Sequence, residues 1–592
     1  MSRIYGRRRN LGVVKFSDNI YHEQVSKWWF SKKKYLYHKD SEDSFDFLKP
    51  LCFYIFYLAL MISIFILLGR LFMLTIVNGE RNRQLAETNQ IKLVSIEAKR
   101  GKIFDRKGKI LADSKTSYFL KKGSKTNEIS EDTVKQLEAQ GLASENFEGE
   151  LGQISSEVER IYPFKEITAH ILGYLSLVES NDLAKDDRLS GQDMIGRLGV
   201  EATYDDFLRG KNGKKIIEVD ATGKKVSILR KQDPETGRDV HLTVDYDLQR
   251  KVFDVLRKHA DRVGSGRGAV LVENPNSGEV LALVSYPSFS PDNIGQFIQD
   301  EKKPLFNRAV QGVYPPGSIF KIVSALAGLE SGKITKDTQI EDVGEFFIGD
   351  TRFVNWFYLN YGGRDGVLKI DRAIARSNDI FFYRLAERLG LYPIRQMAIK
   401  LGMGQKTNID LPDESLGLVP DEVWKKSSYN DSWYMGDTLH FAIGQGFALA
   451  TPIQINSLIS FVASGKLTKP YLVSKVDSET GQDLKIESKI LGENLVGQGN
   501  LNIVREGMGM ACEKGGTGWP FFNASYRVGC KTGTAERELG NPHAWFGAFA
   551  PFENPQVAIT VIIEDGGEGS SVAAPAAREI LDWWFSTRIH PN

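Results

Sequence analysis

The order of apolar and polar positions divides the chain into three parts, and the first of them contains a long apolar run. From Leu51 to Leu68, 18 consecutive residues carry no charge, and the run continues from Leu71 to Val77. A membrane-spanning helix needs about 20 mostly apolar residues, whereas a buried core helix of this length normally shows a polar stripe. A cleaved signal peptide would need a small-residue cleavage site, which residues 78–80 do not offer. The pattern therefore predicts an uncleaved transmembrane anchor over residues 51–77, preceded by an N-terminal segment at 1–50.

The second part, residues 78–245, mixes short apolar pieces with polar turns. Ile103-Phe104 and Ile110-Leu111, for example, flank a polar middle segment, which predicts a β-hairpin. We find no combination of side chains suited to catalysis in this part of the sequence. We therefore expect a β-rich, non-catalytic domain that acts as a spacer and a contact surface for other proteins.

From about Val240 the pattern changes to longer apolar runs and helical periodicity. Ala269–Glu273 and Val280–Ser285 flank a turn rich in Asn, Pro and Gly, which predicts another hairpin. Later strand candidates are Tyr526–Cys530, Ala544–Ala550 and Val557–Ile563; helical patterns include Ile319–Leu329, Ile374–Leu389 and the amphipathic tail Ala573–Phe585. Strands at both ends of a helical middle predict an α+β domain over residues 246–592, with helices packed on an antiparallel sheet.

Charge adds an orientation to this picture. Residues 1–50 hold 11 Lys and Arg against 6 Asp and Glu, a net charge of +5, so the N-terminus is expected to stay in the cytoplasm and residues 78–592 to lie outside. The whole chain has a net charge of only +1, which argues against a nucleic-acid-binding protein. The basic run Arg7–Arg9 is interpreted as a topology signal. Three cysteines exclude a disulfide-rich scaffold and a four-thiolate metal site.

The first candidate for chemistry is the pair Ser318 and Lys321. A helical pattern begins directly after Pro315-Pro316-Gly317, so the two side chains should lie one turn apart on one helix face. A serine hydroxyl needs a neighbouring base to become a nucleophile, and a lysine is a base only where burial or a nearby cation lowers its pKa. The N–H groups of a helix start can also hold an oxyanion. A lone S-x-x-K occurs often by chance in a chain of this length, so the pair taken alone favours an N-cap serine with a solvent-exposed lysine.

The second candidate is Ser377-Asn378-Asp379. Ser377 is suited to relay a proton between Ser318, Lys321 and a leaving amine. Asp379 is suited to hydrogen-bond either Lys321 or the backbone of a substrate. The same residue types also cap helices and form turns, so this motif is weak by itself.

The third candidate is Lys531-Thr532-Gly533-Thr534, which follows a strand-like run. Gly533 allows a ligand to approach the backbone closely. Lys531 would add a second cation, which should keep Lys321 neutral and attract a carboxylate. Thr532 and Thr534 supply hydroxyl groups, and the Thr534 N–H can face an oxyanion. An edge strand with an exposed lysine is the alternative interpretation.

Together the three motifs are specific, because their order is that of the penicillin-binding proteins and serine β-lactamases. The gaps, 59 residues from Ser318 to Ser377 and 154 from Ser377 to Lys531, leave room for a helical subdomain. The sequence resembles the class B penicillin-binding proteins, monofunctional peptidoglycan transpeptidases, over nearly the whole chain beyond the anchor. The resemblance implies a transpeptidase domain of the penicillin-binding and β-lactamase type, with helices on both faces of an antiparallel sheet and an all-helical subdomain, carried on an elongated pedestal.

Further motifs refine the resemblance. Those typical of the class are Arg100–Arg106 and Gly196–Glu201 in the pedestal, and Asn307–Ala309, Gly444–Gly446 and Thr451–Gln454 in the transpeptidase domain. Tyr162-Pro163 with His170–Tyr174, the tail Glu564–Gly569 and Asp379 in the second motif are similar to the elongation type, penicillin-binding protein 2. The division type is the close competitor.

Some relatives of the elongation type hold a metal through a cysteine in the second motif and a nearby histidine. Here those positions are Asn378 and Gly363–Gly366, so the sequence predicts no metal and no cofactor. Cys530 precedes Lys531 directly and is interpreted as a small buried residue. A disulfide between Cys512 and Cys530 is conceivable outside the cytoplasm, but the spacing does not establish it.

The resemblance implies a mechanism and partners. Ser318 would attack the penultimate D-Ala carbonyl of a stem peptide, with Lys321 as base, Ser377 as proton relay and Lys531 with Thr532 or Thr534 on the terminal carboxylate. β-Lactams would acylate the same serine. The implied partners are a membrane-embedded glycan polymerase of the SEDS type and a rod-shape scaffold protein, at the inner membrane. A β-lactamase would not need the anchor or residues 78–245, and a non-catalytic penicillin sensor is the remaining alternative.

Overall fold

The computed structural model describes residues 48–83, 91–144, 150–219, 225–478, 481–537 and 539–589. The predicted N-terminal segment at 1–50 therefore lies outside the described residues as far as residue 47. The chain divides into two compact units, Met1–Asn89 and Gln90–Asn592.

The first unit contains the apolar run. Helix α1 (Leu48–Phe72) continues into a π-helical turn, Met73–Val77. In the described part of the chain, one helical stretch is long and apolar enough to cross a membrane; it spans Cys52–Val77, with a mean hydropathy of 2.5 and no buried residue. Its large apolar side chains are exposed all round, as in a helix whose solvent is lipid. The helix coincides with the anchor predicted for residues 51–77.

The pedestal region begins the second unit and is built mainly of strands. They are β1 (Ile91–Ile96), β2 (Ile103–Phe104), β3 (Ile110–Lys122), β4 (Lys125–Ile129), β5 (Ala143–Ser144), β6 (Gly152–Ile161), β7 (Leu175–Leu177), β8 (Met194–Gly196), β9 (Gly213–Val219), β10 (Lys225–Gln232) and β11 (Val240–Leu242). Its helices are α2 (Glu131–Ala139), α3 (Ala169–Leu172), α4 (Ser180–Leu183), α5 (Gly199–Thr203) and α6 (Asp205–Leu208). β2 and β3 pair antiparallel around the turn at 105–109, which confirms the predicted hairpin.

A buried ion-pair network connects segments of the pedestal that lie far apart in sequence. The Glu201 carboxylate is fully buried and accepts hydrogen bonds from Arg100, at 2.9 Å, and from Arg160, at 2.7 Å. Arg100 also donates to Asp205 at 2.7 Å. In such a network the attraction between opposite charges and the additional hydrogen bonds offset the cost of burying the charges. The Arg100–Arg106 motif is thereby tied to the Gly196–Glu201 motif.

The helices and strands of the transpeptidase region follow. The helices are α7 (Tyr246–Arg262), α8 (Lys321–Glu330), α9 (Trp356–Tyr361), α10 (Ile370–Arg376), α11 (Asp379–Leu389), α12 (Leu391–Lys400), α13 (Glu422–Tyr429), α14 (Met435–Ala442), α15 (Pro452–Ser464), α16 (Gln498–Ala511) and α17 (Ala574–Ile589). The strands are β12 (Gly268–Glu273), β13 (Val280–Tyr286), β14 (Ile340–Asp342), β15 (Glu345–Ile348), β16 (Thr351–Val354), β17 (Gly366–Leu368), β18 (Lys466–Thr468), β19 (Val473–Val476), β20 (Leu484–Lys485), β21 (Ile490–Glu493), β22 (Gly529–Ala535), β23 (His543–Ala550) and β24 (Val557–Ile563).

The predicted antiparallel sheet is present, with the strand order β13-β12-β24-β23-β22. Its central strand β24 is buried along its whole length because both faces are covered. On one face Ala558 and Ile562 pack in a core with Ile459 of α15. On the other, Ile559 and Val561 pack in a second core with α7 and α17. The alternation along one strand thus produces the two helical layers, which confirms the predicted fold class.

Two predicted elements differ from the structure. The helical pattern Ile374–Leu389 is interrupted, because Ser377 adopts a left-handed conformation that ends α10 and the Asn378 side chain then caps α11 by accepting from Phe381 N at 2.9 Å. The strand predicted at Tyr526–Cys530 begins only at Gly529 and extends to Ala535. The Lys-Thr-Gly-Thr motif therefore lies within β22 and not after a strand end.

One sheet contains strands from both regions of the second unit. Its order is β20-β19-β11-β2-β3-β6-β5, in which β19 and β20 come from the transpeptidase region and pair with pedestal strands through β11. The Asp410 carboxylate accepts from the Leu472 and Val473 N–H groups and from the Tyr204 hydroxyl of the pedestal. The predicted boundary at residues 245/246 therefore lies next to a sheet that both regions share.

Candidate active site

The predicted nucleophile, Ser318, lies in a tight turn that leads directly into α8. Residues Gly317–Phe320 form a 3-10 turn, and Lys321 is the first residue of the α-helix. Gly317 has a φ of +55°, and a Cβ there would come within 2.7 Å of the Thr534 carbonyl oxygen, so this position requires glycine. The Gly317 N–H donates to the Gly444 carbonyl at 2.9 Å. These contacts place the turn against β22 and leave Ser318 half-buried at its surface.

Lys321 is completely buried and is oriented by the second motif. Its Nζ donates to Asp379 Oδ1 at 2.7 Å, to the Ser377 carbonyl at 2.7 Å and to Ser377 Oγ at 3.4 Å. The second oxygen of Asp379 accepts from the Trp356 N–H at 3.0 Å. The carboxylate is therefore fixed between the lysine and the start of α9.

Ser377 connects the first motif to the third. The Lys531 Nζ donates to Ser377 Oγ at 2.7 Å and to the Thr532 carbonyl at 3.0 Å. One serine hydroxyl thus lies within hydrogen-bonding distance of both lysine amines. The structure brings Lys321, Ser377, Asp379 and Lys531 together as the sequence predicted.

The remaining residues of the third motif lie in β22, next to the 3-10 turn. The Thr532 hydroxyl contacts the Thr517 hydroxyl at 2.8 Å. A Cβ at Gly533 would lie 2.9 Å from the Trp545 Cβ, so no larger residue fits between β22 and β23. Thr534 accepts from the Gln445 side chain through its carbonyl, at 3.0 Å, and from the Gly569 N–H through its hydroxyl, at 3.4 Å.

Burial controls the charge of the two lysines. It lowers the pKa of Lys321 below the ordinary lysine value, although the adjacent Asp379 carboxylate acts in the opposite direction. Burial, followed by the charge of Lys321, holds the pKa of Lys531 well below its ordinary value. The expected repulsion between the two lysines therefore lowers the pKa of Lys531, whereas the pKa of Lys321 is set by burial and by Asp379. The sequence had assigned this repulsion the opposite task, that of keeping Lys321 neutral.

Cys530, the residue before Lys531, is buried and forms a disulfide with Cys512. The bond joins the end of α16 to the start of β22, and the Cα atoms are 5.8 Å apart. The sequence spacing left this pairing open, because the two cysteines are brought together only by the packing of the helix on the sheet. The arrangement is that of a structural cysteine and not of a second nucleophile.

Several residues that shape the site carried no assigned role in the sequence. Gln445 belongs to a motif already noted at 444–446, whereas Thr517 and Trp356 gave no signal, since only their position in the fold brings them to the site. In the described ranges no three His, Cys, Asp or Glu side chains are grouped to hold a metal ion. The expectation that the site works without a metal stays a prediction.

Two family models match the chain. The penicillin binding protein transpeptidase domain matches residues 268–582, and the penicillin-binding protein dimerisation domain matches residues 120–242. The first covers more than half of the chain and contains all three motifs.

The chain is also similar to individual proteins. Peptidoglycan D,D-transpeptidase MrdA of Haemophilus influenzae is 30% identical over 90% of this chain and 91% of the relative. The penicillin-binding protein PBP2 of Helicobacter pylori, solved in a complex with MreC, is 27% identical, with a TM-score of 0.68 over 84% of this chain and 99% of that one. A chain from a peptidoglycan synthase complex, described as coordinating polymerisation and crosslinking, is 27% identical, with a TM-score of 0.70 over 90% of this chain and 98% of that one.

Proposed function

The chain belongs to the penicillin-binding protein transpeptidase family, and from this premise we propose that it is a membrane-anchored peptidoglycan D,D-transpeptidase of the elongation type. The observation that carries the proposal is the convergence of Lys321, Ser377, Asp379 and Lys531 next to the turn that presents Ser318. A serine needs a neighbouring base to act as a nucleophile, and a buried amine can supply that base without a histidine.

In the proposed acylation, Ser318 Oγ attacks the carbonyl carbon of the penultimate D-Ala of a stem peptide. The Ser318 and Thr534 N–H groups stabilise the oxyanion, a contribution of roughly 3–4 kcal/mol for each donor in comparable enzymes. Lys321 accepts the hydroxyl proton. The amide bond then breaks, terminal D-Ala leaves as an amine protonated through Ser377, and an ester to Ser318 remains.

Lys321 must be neutral to accept a proton, and the two-lysine arrangement offers a way to reach that state. The terminal carboxylate of the substrate, bound by Lys531 with Thr532 or Thr534, favours the charged form of Lys531. The Ser377 hydroxyl, 3.4 Å from one amine and 2.7 Å from the other, gives a path for a proton from Lys321 to Lys531. Substrate binding would thereby prepare the base.

The ester is resolved by a second stem peptide. Its amine attacks the acyl carbon, an amide forms between the two stems, and Ser318 regains its proton. A β-lactam would acylate Ser318 in place of the stem peptide, because its strained amide presents the same carbonyl and carboxylate.

We also propose the domain division and the topology. Residues 78–245 form the pedestal and 246–592 the transpeptidase domain, in keeping with the family matches at 120–242 and 268–582. The basic segment before the helix at Cys52–Val77 supports an N-terminus in the cytoplasm and an active site on the cell-wall side. The similarity to proteins solved with MreC and in a peptidoglycan synthase complex supports a rod-shape scaffold and a glycan polymerase as partners.

Labelled penicillin tests the proposal directly. We expect one label per molecule, located by mass spectrometry on the peptide that contains Ser318, and no covalent label on Ser318→Ala. Covalent labelling of the Ser318→Ala protein would refute the assignment of the nucleophile. Failure of the unsubstituted protein to become labelled would refute the function itself.

A further inference from the structure

The backbone at Ser377 is strained, and its surroundings hold it in place. Ser377 has φ 54° and ψ 36°, the left-handed conformation that costs a non-glycine residue about 1–2 kcal/mol. In this conformation the carbonyl of Ser377 faces Lys321 and its hydroxyl faces Lys531. Another backbone conformation at this position would change the direction of the carbonyl and of the side chain relative to the amines.

The residues on either side of Ser377 are tied to the same carboxylate. Arg376 Nε donates to Asp365 Oδ1 at 2.8 Å, and Asn378 Nδ2 donates to Asp365 Oδ2 at 3.0 Å. The Asp365 side chain is only 8% exposed. The two bonds span the strained residue and oppose its rotation.

A second buried carboxylate extends this arrangement to Asp379. Asp342 Oδ2 accepts from Asn378 Nδ2 and Asn355 Nδ2, both at 2.8 Å, and from the Asp365 N–H at 2.9 Å. Asn355 in turn accepts from the Asp379 N–H at 3.2 Å. Every neighbour bonded to the Asp342 carboxylate is a donor, so an amide at this position would leave N–H groups facing each other.

We propose that Asp365 and Asp342 are positioning residues for the acylation: together with Asn355, Arg376 and Asn378 they form a clamp that keeps Ser377 in its left-handed conformation between the two lysines. This inference rests on the proposed function, since it assigns a task to Ser377 in acyl transfer. In the proposed mechanism none of the clamp residues is assigned a contact with the substrate. They act through the placement of Ser377 and of Asp379.

The test measures the rate of acylation separately from the fraction of the protein that is folded and able to react. Full-length protein is mixed rapidly with saturating labelled penicillin, and both the first-order acylation constant and the final label per molecule are measured. The variants are Asp365→Asn, which removes one acceptor oxygen of the clamp, and Asn378→Ala, which removes the bridge and the cap of α11 without changing charge. Glu341→Gln and Asp350→Asn are matched controls, because both carboxylates belong to the same region and are exposed.

We expect both clamp variants to acylate about 10- to 100-fold more slowly, as a misplacement of about 1 Å does in other active sites, while the label per folded molecule stays near one. The lost negative charge of Asp365→Asn would by itself favour neutral Lys321, so the slowing cannot come from that charge. The two controls should acylate at the rate of the unsubstituted protein.

Three other outcomes would contradict the proposed clamp, and the two measured quantities distinguish them. Partial unfolding lowers the label per molecule and leaves the rate constant of the labelled fraction unchanged, and that outcome in either variant would mean that the clamp serves stability alone. If Asp365→Asn does not fold, Asn378→Ala decides between the two outcomes. If the unsubstituted protein is not acylated at all, the proposed function fails and the clamp fails with it; if it is acylated and the variants react as fast, the clamp alone is wrong.

Discussion

At the scale of single residues, the site is dominated by two buried amines that share one hydroxyl. Lys321 and Lys531 are both completely buried, and Ser377 Oγ contacts both. A buried lysine is costly unless it is paired or neutral. The structure uses both solutions, because Asp379 pairs with Lys321 while Lys531 has its pKa lowered well below the ordinary value.

The nucleophile and its base should behave as one unit. Ser318→Ala and Lys321→Ala should each lower the release of D-Ala from a synthetic stem peptide by about 1000-fold or more. The double variant should be no slower than the slower single variant, because neither group works without the other. If the fold loss in the double variant equals the product of the two single losses, the assignment of Lys321 as the base is wrong.

The pH dependence of acylation should report the state of Lys321. Only the neutral amine accepts the Ser318 proton, so the acylation rate should fall as the pH decreases through the pKa of Lys321. Burial lowers this pKa and the Asp379 carboxylate raises it, so Asp379→Asn should lower the pKa further and move the acidic limb to lower pH. The limb is measured from acylation constants across the pH range. A limb that moves to higher pH in this variant would exclude Lys321 as the titrating group.

At the scale of elements, the site depends on how three segments begin and end. The 3-10 turn before α8, the left-handed break between α10 and α11 and the interior of β22 each present one motif. The disulfide joins the end of α16 to the first residues of β22 and so holds the strand next to the helix.

Removing this disulfide should affect stability more than chemistry. The bond closes a loop across a sequence separation of 18 residues, for which chain-entropy arguments give about 3 kcal/mol. The double variant Cys512→Ala and Cys530→Ala should therefore unfold at a clearly lower temperature, and its folded fraction should still be acylated because Lys531 keeps its contacts with Ser377 and Thr532.

The control for the disulfide is Cys52→Ser, which changes an exposed thiol on the apolar helix. Thermal unfolding with and without reductant gives the measurement. An unfolding temperature equal to that of the unsubstituted protein, insensitive to reductant, would show that the cysteines do not pair in solution.

At the scale of the whole molecule, the second unit is held together across the predicted domain boundary. β19 of the transpeptidase region pairs with β11 of the pedestal, and Asp410 binds both Tyr204 and the backbone that leads into β19. The pedestal is therefore part of the structural support of the catalytic region.

This coupling predicts a stability cost at Asp410. Asp410→Asn replaces an acceptor oxygen with an amino group that faces donors, which should lower the free energy of unfolding by about 1–3 kcal/mol. Asp413→Asn is the matched control, since Asp413 is exposed and Asn tolerates its positive φ. Denaturant unfolding of the full chain compares the two, and equal stability would contradict a structural role for the Tyr204–Asp410 contact.

Much of this protein could be predicted from local patterns. The anchor, the hairpins at 103–111 and 268–286 and the strands β23 and β24 follow from runs and alternations within about 20 residues. The three motifs indicated the family in the same way, because each motif is only a few residues long and its residue types indicate its chemistry.

Two predictions from the sequence were wrong. The strand predicted to begin at Tyr526 begins at Gly529, and the helical pattern predicted over Ile374–Leu389 is broken at Ser377. In both places the local preference was outweighed by distant partners, namely strand β23 and the clamp carboxylates.

The sequence by itself determined which side chains were available for acyl transfer and where a helix long and apolar enough to cross a membrane forms, since hydrophobic period and residue chemistry act over short distances. Only the tertiary structure decided which groups meet. Lys321, Ser377 and Lys531 are 56 and 154 residues apart, and their contacts arise because α8, the break between α10 and α11, and β22 pack together. The left-handed serine, its two supporting carboxylates and the disulfide depend on the same packing, because each needs a partner that no local pattern specifies.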